Sequence, residues 1–484
     1  MLLSNLLKGI KTLEVFGDLQ KNIAEISIDS TKITADVLFV ALQGTKIDAH
    51  IFIDQVLAQG ATAIVCQKMP ELILPQITYI RVENTAEALG FLAANFYENP
   101  SQKIKLVGIT GTNGKTTTAT VLYHVFMKMG YATGLLSTVA NRINTQTTAA
   151  THTTPNAIEL NKLLAKMVDS GCEYVFMEVS SHAVVQRRIA GLRFVGGVFT
   201  NLTHEHLDFH LNFQAYLKAK KRFFDLLPEN AFALTNIDDK NGAVMLQNTD
   251  ARKYSYALKT GADYKGKILE NDFGGMLLNF NQTEFHSLLV GSFNAYNLLA
   301  VYGTALLLHQ NPTELLAALS TTKNVAGRFD YFVAPNHVIG IIDYAHTPDA
   351  LENVLKTIEN IAQNQRKIIT VVGCGGNRDT EKRPKMAAIA CKFSHKVILT
   401  SDNPRYENPH NILEDMQKGV PLQHQSKTLT IPDRKQAIKT ATMLAQKGDV
   451  ILVAGKGHET YQEIAGVKHP FSDFEILEAC LKAE

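Results

Sequence analysis

Residues 108–118, GITGTNGKTTT, stand between an apolar run and the helix-length stretch ATVLYHVFMKMG. Glycines in such a segment let backbone N–H groups turn towards phosphate oxygens, a lysine meets the phosphate charge, and the next hydroxyl can coordinate Mg²⁺. Lys115 and Thr116 would take the last two positions. The longer pattern G-x-x-x-x-G-K-[ST] fails, because Ile109 stands in place of its first glycine. The shorter motif GTNGKT, after a strand and before a helix, still predicts a phosphate-binding loop in an α/β domain.

The rest of the chain continues the same alternation of apolar strand-like runs and amphipathic helix-length stretches, which predicts parallel sheets flanked by helices. At 484 residues the chain is too long for one ordinary core, and about three domains are expected. The polar stretch ENPSQK around Pro100 and the connector NVAGRFDYF supply the boundaries. We predict domains over residues 1–98, 99–332 and 333–484.

Composition restricts the partners and the compartment. With 48 Lys plus Arg against 46 Asp plus Glu, the net charge of +2 predicts no nucleic-acid or anionic membrane surface. The N-terminal stretch MLLSNLLKGIKTLEVFG does not fit an export signal, and no apolar run approaches the ~20 residues of a membrane span. Five cysteines are scattered without a C-x-x-C pair, which predicts buried free thiols in a cytoplasmic protein.

Further polar groups follow two apolar runs near the phosphate loop. Glu178 ends YVFMEVS, and FTNLTHEHLDFH carries His204, His206 and His210 after another strand. A carboxylate and an imidazole at adjacent strand ends could hold a metal or orient a nucleophile, although any one histidine alone is more often a surface or satisfied residue. The stretch YLKAKKRFF has the composition of a solvated basic helix face. A buried lysine, in contrast, loses its proton readily and becomes nucleophilic.

In combination these motifs resemble the Mur ligases of bacterial cell-wall synthesis, and among them the branch that adds meso-2,6-diaminopimelate. The matching segments, in chain order, are SIDSTKITADVLFVALQG, GTNGKTTT, TTP, MEVSSHAVVQ, FTNLTHEHLDFH, YLKAKK, DYAHTPDALENVL, GCGGNRDTEKRPKM, DNPR and GKGHE. The resemblance implies an α/β protein of three domains. These are a small N-terminal UDP-binding domain, a central P-loop ATPase-like parallel sheet and a C-terminal Rossmann-like domain that receives the amino acid.

The resemblance also implies a reaction. The γ-phosphoryl group of ATP passes to the D-Glu side-chain carboxylate of UDP-N-acetylmuramoyl-L-alanyl-D-glutamate, the incoming amine attacks the resulting acyl phosphate, and phosphate leaves. The expected partners are therefore small molecules, with no nucleic acid and no membrane span, and a monomer in the cytoplasm is expected.

Family motifs assign the ATP site and the catalytic groups. The residues expected to bind ATP are Gly111, Thr112, Asn113, Gly114, Lys115, Thr116, Thr117, Asn294, Arg328, Asp343 and His346. The expected catalytic residues are Lys115, Glu178, His206 and Lys220. Thr116 and Glu178 would bind one Mg²⁺ and His206 a second. Lys220 matches the family lysine that takes up CO₂ as a carbamate and becomes an anionic metal ligand.

The sugar-nucleotide substrate is expected to lie against two sets of residues. The uridine side comprises Ile28, Ser30, Thr45, Lys46 and Ile47, and the muramoyl-dipeptide side His152, Thr153, Thr154, Ser180, Gln186 and Arg188. His152 departs from the family pattern, since some relatives carry Asn there. Glu205 likewise replaces the more usual Asp next to His206.

The DNPR segment predicts which amino acid is added. Diaminopimelate differs from lysine by one carboxylate, so its selection needs a cation that stays unpaired when lysine enters, and Arg405 offers a planar two-pronged donor. Lysine-adding relatives lack this arginine. The residues expected around diaminopimelate are Arg378, Asp402, Asn403, Pro404, Arg405, Gly455 and Glu459.

Three alternatives stay open on sequence alone. Folylpolyglutamate synthase also forms an amide through an acyl phosphate, but it would lack the first, UDP-binding block. A lysine-adding ligase would differ at Arg405. A nucleotide-operated switch would use ATP or GTP for conformation only, and the chain has no N-K-x-D stretch for reading guanine.

Overall fold

The computed structural model describes residues 1–44, 47–150, 152–203, 210, 212–362 and 365–482. The helices are α1 Leu3–Leu6, α2 Ile53–Ala58, α3 Thr85–Phe96, α4 Lys115–Lys128, α5 Ala157–Asp169, α6 Ser181–Val185, α7 Phe213–Asp225, α8 Gly242–Met245, α9 Ser292–Leu307, α10 Pro312–Ser320, α11 Pro348–Ala362, α12 Lys382–Phe393, α13 Pro409–Gln417, α14 Arg434–Leu444 and α15 Asp473–Lys482. Short 3₁₀ turns lie at Ala49–Phe52, Pro100–Gln102 and Leu422–Lys427.

The strands alternate with these helices. They are β1 Thr12–Phe16, β2 Glu25–Ser27, β3 Val37–Val40, β4 Ala63–Cys66, β5 Thr78–Val82, β6 Lys105–Thr110, β7 Thr133–Leu136, β8 Ala140–Ile143, β9 Gln146–Ala149, β10 Tyr174–Glu178, β11 Gly196–Phe199, β12 Phe232–Asn236, β13 Arg252–Ala257, β14 Tyr264–Asp272, β15 Gly275–Phe280, β16 Thr283–Ser287, β17 Asp330–Val333, β18 Ile339–Asp343, β19 Ile368–Cys374, β20 Lys396–Ser401, β21 Thr428–Thr430, β22 Val450–Ala454, β23 Tyr461–Ile464 and β24 Val467–Pro470.

The first sheet has the order β1-β5-β4-β3-β2, with β1 antiparallel to β5 and the other pairs parallel. The second has the order β16-β15-β14-β13-β12-β11-β6-β10-β7-β8-β9, and its strands from β7 to β14 in that row are parallel. The third has the order β17-β18-β22-β19-β20-β21, with only the β17–β18 pair antiparallel. Strands β23 and β24 form a separate hairpin.

Both faces of the second sheet are covered by apolar side chains, as parallel sheets require. Val107 packs in the cluster with α4 and α9, whereas its neighbour Leu106 packs on the other face with α5 and α7. Continuous apolar runs such as YVFM of β10 are therefore buried on both sides. Those runs leave the polar residues that follow them at the carboxyl edge of the sheet, where open α/β folds bind ligands.

The α/β class with mainly parallel sheets is confirmed. The three sheets occupy residues 12–82, 105–287 and 330–454. Four of the five cysteines are free and buried, as expected, but the free thiol of Cys480 is partly exposed. Within the described residues, no helix has the length and apolar character needed to cross a membrane.

Candidate active site

The phosphate loop follows β6, which lies between β10 and β11 in the second sheet. Asn201, just beyond β11, accepts the backbone N–H of Thr112 with its carbonyl oxygen at 2.8 Å and that of Asn113 with Oδ1 at 2.9 Å. Thr200 Oγ1 donates to the carbonyl of Asn113 at 2.6 Å. A Cβ on Gly111, whose φ is +152°, would lie 1.9 Å from Thr200 Oγ1, so only glycine allows this approach.

Lys115 begins α4 directly after the loop. Its Nζ donates to the carbonyls of Gly111 at 2.8 Å and Thr112 at 2.7 Å, and the ammonium group is therefore folded back over the loop. The N-terminal turn of α4 adds backbone N–H groups and the positive end of a helix dipole at the same point. The arrangement is that of an anion-binding loop.

Glu178 lies at the carboxyl end of β10 and is 1% exposed. Its Oε2 accepts the hydroxyl of Thr116 at 3.0 Å, and its Oε1 accepts the backbone N–H of Thr138 at 2.7 Å. Arg328 Nη2 also donates to Thr116 Oγ1, at 3.2 Å. The predicted pair Thr116 and Glu178 is thus brought together beside the loop.

Lys220, on α7, is 1% exposed, so the interpretation of YLKAKKRFF as a wholly solvated face is wrong at this position. Its Nζ donates to the carbonyl of Gly111 at 2.7 Å and lies 4.7 Å from the ring centre of Tyr216. The next lysine, Lys221, pairs with Asp225 one turn later at 2.6 Å, and only 13% of its side chain is exposed. Lys220 is therefore the member of the basic stretch that reaches the phosphate loop.

The donor chemistry around the loop fits a hard divalent cation in part. Thr116 and Glu178 supply two buried oxygens of the kind that Mg²⁺ prefers. Among the described residues, no group of three or more His, Cys, Asp or Glu side chains gathers to hold a metal. His206, the expected ligand of a second ion, lies outside the described residues. An unmodified Lys220 is a hydrogen-bond donor and could not be a ligand, whereas a carbamate on it could be.

Two of the other four residues expected at the nucleotide lie on a helix of the second sheet and at the end of a strand of the third. Asn294 is buried on α9 and donates to the carbonyl of Val290 at 2.9 Å. Asp343 ends β18 and accepts the N–H groups of Phe329 and Ala345, each at 2.7 Å. Burial raises the pKa of Asp343, against the opposing charge of nearby Arg328 and these two N–H donors.

His346 and Arg328 meet at the ring of Tyr344. The Arg328 guanidinium stacks over that ring at 4.5 Å, and the His346 ring centre lies 4.7 Å from it. His346 Nδ1 is 2.9 Å from the carbonyl oxygen of Tyr344. Arg328 Nε is buried without a hydrogen-bond partner among the described residues. The stack therefore presents one unsatisfied donor next to the phosphate loop.

The residues expected to bind the muramoyl dipeptide gather around the end of β10. Thr154 Oγ1 donates to the carbonyl of Glu178 at 2.8 Å and accepts the N–H of Ser180 at 3.2 Å. Arg188 donates to the carbonyl of Thr154 at 2.6 Å and to Gln186 Oε1 at 2.9 and 2.6 Å. This set is thus joined to the backbone of Glu178.

Other substrate positions are less closely joined to the site. Thr153 Oγ1 accepts the hydroxyl of Thr138 at 3.1 Å, and His152 is exposed. On the first sheet, Ile28 and Ser30 follow β2 and are partly exposed, and Ile47 is 59% exposed. Thr45 and Lys46 lie outside the described residues.

The third sheet brings the expected amino-acid site together at its carboxyl edge. Asp402, Asn403 and Pro404 follow β20 and are buried. Asn403 Nδ2 donates to Glu459 Oε2 at 2.8 Å, after β22. A Cβ on Gly455, whose φ is +118°, would lie 2.6 Å from Asp402 Oδ2, so glycine is needed for these two loops to meet.

Arg405 does not extend into bulk water. Its side chain is 23% exposed, its Nη1 donates to the carbonyl of Gly376 at 2.9 Å, and its Nε lies 3.5 Å from Glu463 Oε2. The backbone of Arg405 takes the left-handed conformation at φ +53°. Its N–H donates to the carbonyl of Glu463 on β23, and its carbonyl accepts the N–H of Ala465, just after β23. Arg378, on the loop after β19, is exposed.

Sequence reasoning missed three groups that contact these residues. Lys456 is fully buried and bonds to both Asn403 and Glu459, although GKGHE was recognised as a motif. Glu463, on β23, faces Arg405 and carries no sequence signal of its own. Thr138 binds Glu178 through its backbone N–H, which any residue type except proline could supply.

Known proteins match this chain along nearly its whole length. Three family models fit, described as Mur ligase family, catalytic domain over residues 22–97, Mur ligase middle domain over 109–305, and Mur ligase, glutamate ligase domain over 327–457. A protein of Bacteroides thetaiotaomicron named UDP-N-acetylmuramoyl-L-alanyl-D-glutamate–2,6-diaminopimelate ligase is 55% identical over 477 residues, covering 99% of each chain.

The likeness extends to more distant relatives and to a solved structure. A Clostridioides difficile protein of the same name is 37% identical over 489 residues, covering 99% of each chain. A solved structure of a ligase of that name aligns with a TM-score of 0.71 at 30% identity, covering 100% of this chain and 99% of the other. These matches show an ATP-dependent ligase, and the chain belongs to the Mur ligase family.

Proposed function

We propose that this chain adds meso-2,6-diaminopimelate to the D-Glu side-chain carboxylate of UDP-N-acetylmuramoyl-L-alanyl-D-glutamate, in an ATP-dependent reaction through an acyl phosphate. The observation that carries the choice of amino acid is Arg405, a mostly buried guanidinium at the carboxyl edge of the third sheet. Relatives more than half identical over nearly the whole chain bear the name of that activity.

The first step needs phosphate positioning more than covalent chemistry by the protein. ATP phosphates lie against the backbone of residues 111–117, and Lys115 turns from the loop carbonyls to the β/γ-phosphates. Asn294, Arg328, Asp343 and His346 line the nucleotide from the other side. Arg328 Nε, buried and unsatisfied, supplies a donor for a phosphate oxygen. A free carboxylate is a poor electrophile, and its conversion to an acyl phosphate provides a leaving group.

Thr116 and Glu178 hold Mg²⁺ when it is bound, and His206 is assigned to a second ion. Such ions neutralise charge on the transferring phosphoryl group and the attacking carboxylate. The contribution of the protein is to keep two oxygens 3.0 Å apart in a buried pocket beside the loop. Thr138 orients the Glu178 carboxylate through its N–H at 2.7 Å.

Lys220 carries the carbamate in this proposal. The ammonium group of Lys220 first gives one proton to solvent, and the neutral amine then attacks the carbon of CO₂. A C–N bond forms as one C=O π bond opens, and a second proton is released, so a cation becomes a carbamate anion with two oxygen atoms. The product keeps one N–H, which can retain the bond to the carbonyl of Gly111.

Substrate selection rests on the N–H donors of Arg405 that Gly376 and Glu463 do not engage. The far carboxylate of diaminopimelate pairs with these donors, and lysine leaves them unpaired. Arg378 offers a second cation. Asp402 and Glu459 bond the ammonium group, and Asn403, Pro404 and Gly455 shape the remaining wall.

The precursor lies between the first and second sheets, with the uridine side at residues 28–47 and the dipeptide at residues 152–188. We assign the domains to residues 1–98, 99–332 and 333–484, and the sheets at residues 12–82, 105–287 and 330–454 support this division.

The net charge of +2 supports a protein without a nucleic-acid partner. A cytoplasmic monomer is consistent with free, mostly buried thiols and a substrate made of soluble small molecules.

Phosphate release tests the function directly. The purified chain is incubated with ATP, Mg²⁺ and the UDP-muramoyl dipeptide, and diaminopimelate, lysine or ornithine is added in separate reactions. Only diaminopimelate should give sustained phosphate release and a product larger by that residue in mass spectrometry. Release supported by lysine would contradict the Arg405 assignment. Slow hydrolysis of nucleotide without any small substrate would instead indicate a nucleotide switch.

A further inference from the structure

Lys456 is a fully buried cation that none of the roles above uses. It follows β22, and its Nζ donates to Asn403 Oδ1 and to Glu459 Oε2, each at 2.9 Å. Its ammonium group also lies 5.5 Å from the ring centre of Tyr461. A buried charge of this kind is costly unless it is paired and hydrogen-bonded, and here two partners from the proposed amino-acid site satisfy it.

The first consequence concerns the amide of Asn403. Its Oδ1 accepts from Lys456 and from the backbone N–H of Glu463 at 2.9 Å, and its Nδ2 donates to Glu459 Oε2 at 2.8 Å. A flipped amide would set its NH₂ group against two donors and its oxygen against a carboxylate. Lys456 and the backbone N–H of Glu463 therefore together determine which polar group Asn403 turns towards Glu459, and only 3% of Asn403 is exposed.

The second consequence concerns the carboxylate of Glu459. Its Oε2 accepts from both Lys456 and Asn403, which holds the side chain in one orientation with 17% exposed. The neighbouring cation also offsets its negative charge. The ion pair with Lys456 thus orients the Glu459 carboxylate. The same pair reduces the electrostatic attraction between this carboxylate and a substrate ammonium group.

The net charge of the proposed amino-acid site affects the choice between diaminopimelate and lysine. The far end of diaminopimelate carries an ammonium group and a carboxylate, whereas the far end of lysine carries only the ammonium group. Asp402 and Glu459 attract that ammonium group in both molecules, and Arg405 already faces Glu463 at 3.5 Å. Without a buried cation beside Glu459, the pocket would be more negative by one charge and would favour the more positive amino acid.

We propose that Lys456 is a positioning and specificity-determining residue, which orients Asn403 and Glu459 and disfavours lysine through its buried charge. The inference rests on the proposed function, because it assigns the residue to the diaminopimelate site. Lys456 acts through its neighbours and does not touch the reacting atoms. A change at Lys456 should therefore alter the KM for the amino acid and the preference for diaminopimelate over lysine.

Two substitutions separate orientation from charge. Lys456→Met removes both the donor and the charge at similar length, whereas Lys456→Gln removes the charge and keeps an amide donor for Asn403 or Glu459. Lys468→Met is the matched control, because Lys468 is exposed on β24 and lies over the same Tyr461 ring at 4.1 Å. Steady-state phosphate release gives kcat and KM for diaminopimelate, lysine and ATP, and thermal unfolding confirms that each variant is folded.

For Lys456→Met, the KM for diaminopimelate should rise about tenfold or more, with the KM for ATP and the kcat within about twofold of the parent. The ratio of kcat/KM for diaminopimelate to that for lysine should fall by about tenfold or more in Lys456→Met. It should fall in Lys456→Gln as well, where the KM for diaminopimelate changes less. Lys468→Met should leave all of these values unchanged.

The outcomes separate this inference from the function on which it rests. An unchanged ratio in either folded Lys456 variant, with a parent enzyme that uses diaminopimelate, overturns the inference alone. Failure of both variants to fold would mean a structural role and would overturn it as well. A parent enzyme that does not use diaminopimelate would remove the proposed function and this inference together.

Discussion

The guanidinium of Arg405 is held by two protein groups, the carbonyl of Gly376 and the carboxylate of Glu463. Arginine has five N–H donors, so further donors are available for a planar carboxylate. The left-handed backbone at φ +53° and the bonds to β23 set the direction of this side chain. At this scale the orientation of the Arg405 guanidinium is determined by its neighbours.

Replacement of this arginine by alanine should abolish selection of diaminopimelate. In Arg405→Ala we expect kcat/KM for diaminopimelate to fall by about 10³ or more, because a buried carboxylate would lose its paired donor. ATP affinity, measured by calorimetry, should persist. Arg366→Ala is the control, since Arg366 lies at the amino edge of the same sheet and donates to the carbonyl of Gly448. Unchanged kinetics for diaminopimelate in Arg405→Ala would defeat the assignment.

Lys220 gives a second prediction at the residue scale. Lys220→Ala should lose activity, because the proposed carbamate oxygens disappear, and a short carboxylic acid in solution should restore part of it. Lys221→Ala should remain active, because the ion pair of Lys221 is with Asp225 in its own helix and outside the phosphate loop. Isotopically labelled bicarbonate should give a carbamate signal in the parent and none in Lys220→Ala. Full activity of Lys220→Ala without added acid would remove the carbamate role.

At the scale of elements, the third sheet is joined to two helices by one buried ion pair. Arg434 begins α14 and Asp473 begins α15, and both side chains are 0% exposed. The guanidinium donates to Asp473 Oδ1 at 2.8 Å and Oδ2 at 2.7 Å. It also donates to the carbonyls of Ser401 and Ala454, the last residues of β20 and β22. The two strands that carry the amino-acid site are thereby tied together behind that site.

Removal of one partner should therefore destabilise the third sheet strongly. In Asp473→Ala we expect the free energy of unfolding to fall by about 3–5 kcal/mol, because Arg434 stays buried without its counter-charge. Asp433→Ala, which removes the exposed N-cap of the same helix α14, should cost only about 1 kcal/mol. Urea unfolding followed by circular dichroism measures both. Equal losses in the two variants would contradict the assigned importance of the buried pair.

For the whole molecule, the phosphate loop and the amino-acid site lie on different sheets. Arg328 donates to Thr116 at 3.2 Å and Asn113 donates to Asp349 at 3.4 Å, so residues near the third sheet reach the loop on the second. The amine must attack an acyl phosphate formed at that loop. We therefore expect closure of the third sheet onto the second to gate the chemistry.

Stability of the whole chain should depend on two partly buried histidines. Burial, aided by the charges of Arg142 and Lys128, lowers the pKa of His124 to about 4, and burial with Arg328 and Lys456 lowers that of His458 to about 4. In the unfolded chain each of these histidines has its ordinary pKa of 6.5. The unfolded state therefore takes up protons first as pH falls. The stabilising contribution is complete above pH 6.5 and is lost as pH falls towards 4.

We expect the free energy of unfolding to fall over that range by up to about 2 kcal/mol per histidine, after allowance for partial solvent exposure. Urea titrations at successive pH values measure it. His124→Gln and His458→Gln should each flatten the dependence between pH 6.5 and about 5. His469→Gln, an exposed position on β24, should leave it unchanged. The same slope in all four proteins would mean that other groups are responsible.

The sequence predicted some features of the site and could not predict others. The motif GTNGKT and the placement of Glu178 at a strand end predicted a phosphate loop beside a carboxylate, and the two lie at adjacent strands. The basic stretch with Lys220 could not be interpreted by composition, because one face of α7 is buried and another is solvated. The buried contacts of Lys456 and Arg434 were not predicted, since Lys456 depends on Asn403, 53 residues away, as well as on Glu459, and the partners of Arg434 lie 20 to 39 residues away in the chain.

The sequence by itself determined the α/β class, the phosphate loop and the family, because apolar periodicity and short motifs are local properties of the chain. Only the tertiary structure decided which cations are buried, which groups the Arg405 guanidinium contacts, and that Lys456 bonds to both Asn403 and Glu459. Those properties arise where strands distant in sequence end at one edge of a sheet. Burial and charge pairing there depend on packing, and packing is a property of the folded chain as a whole.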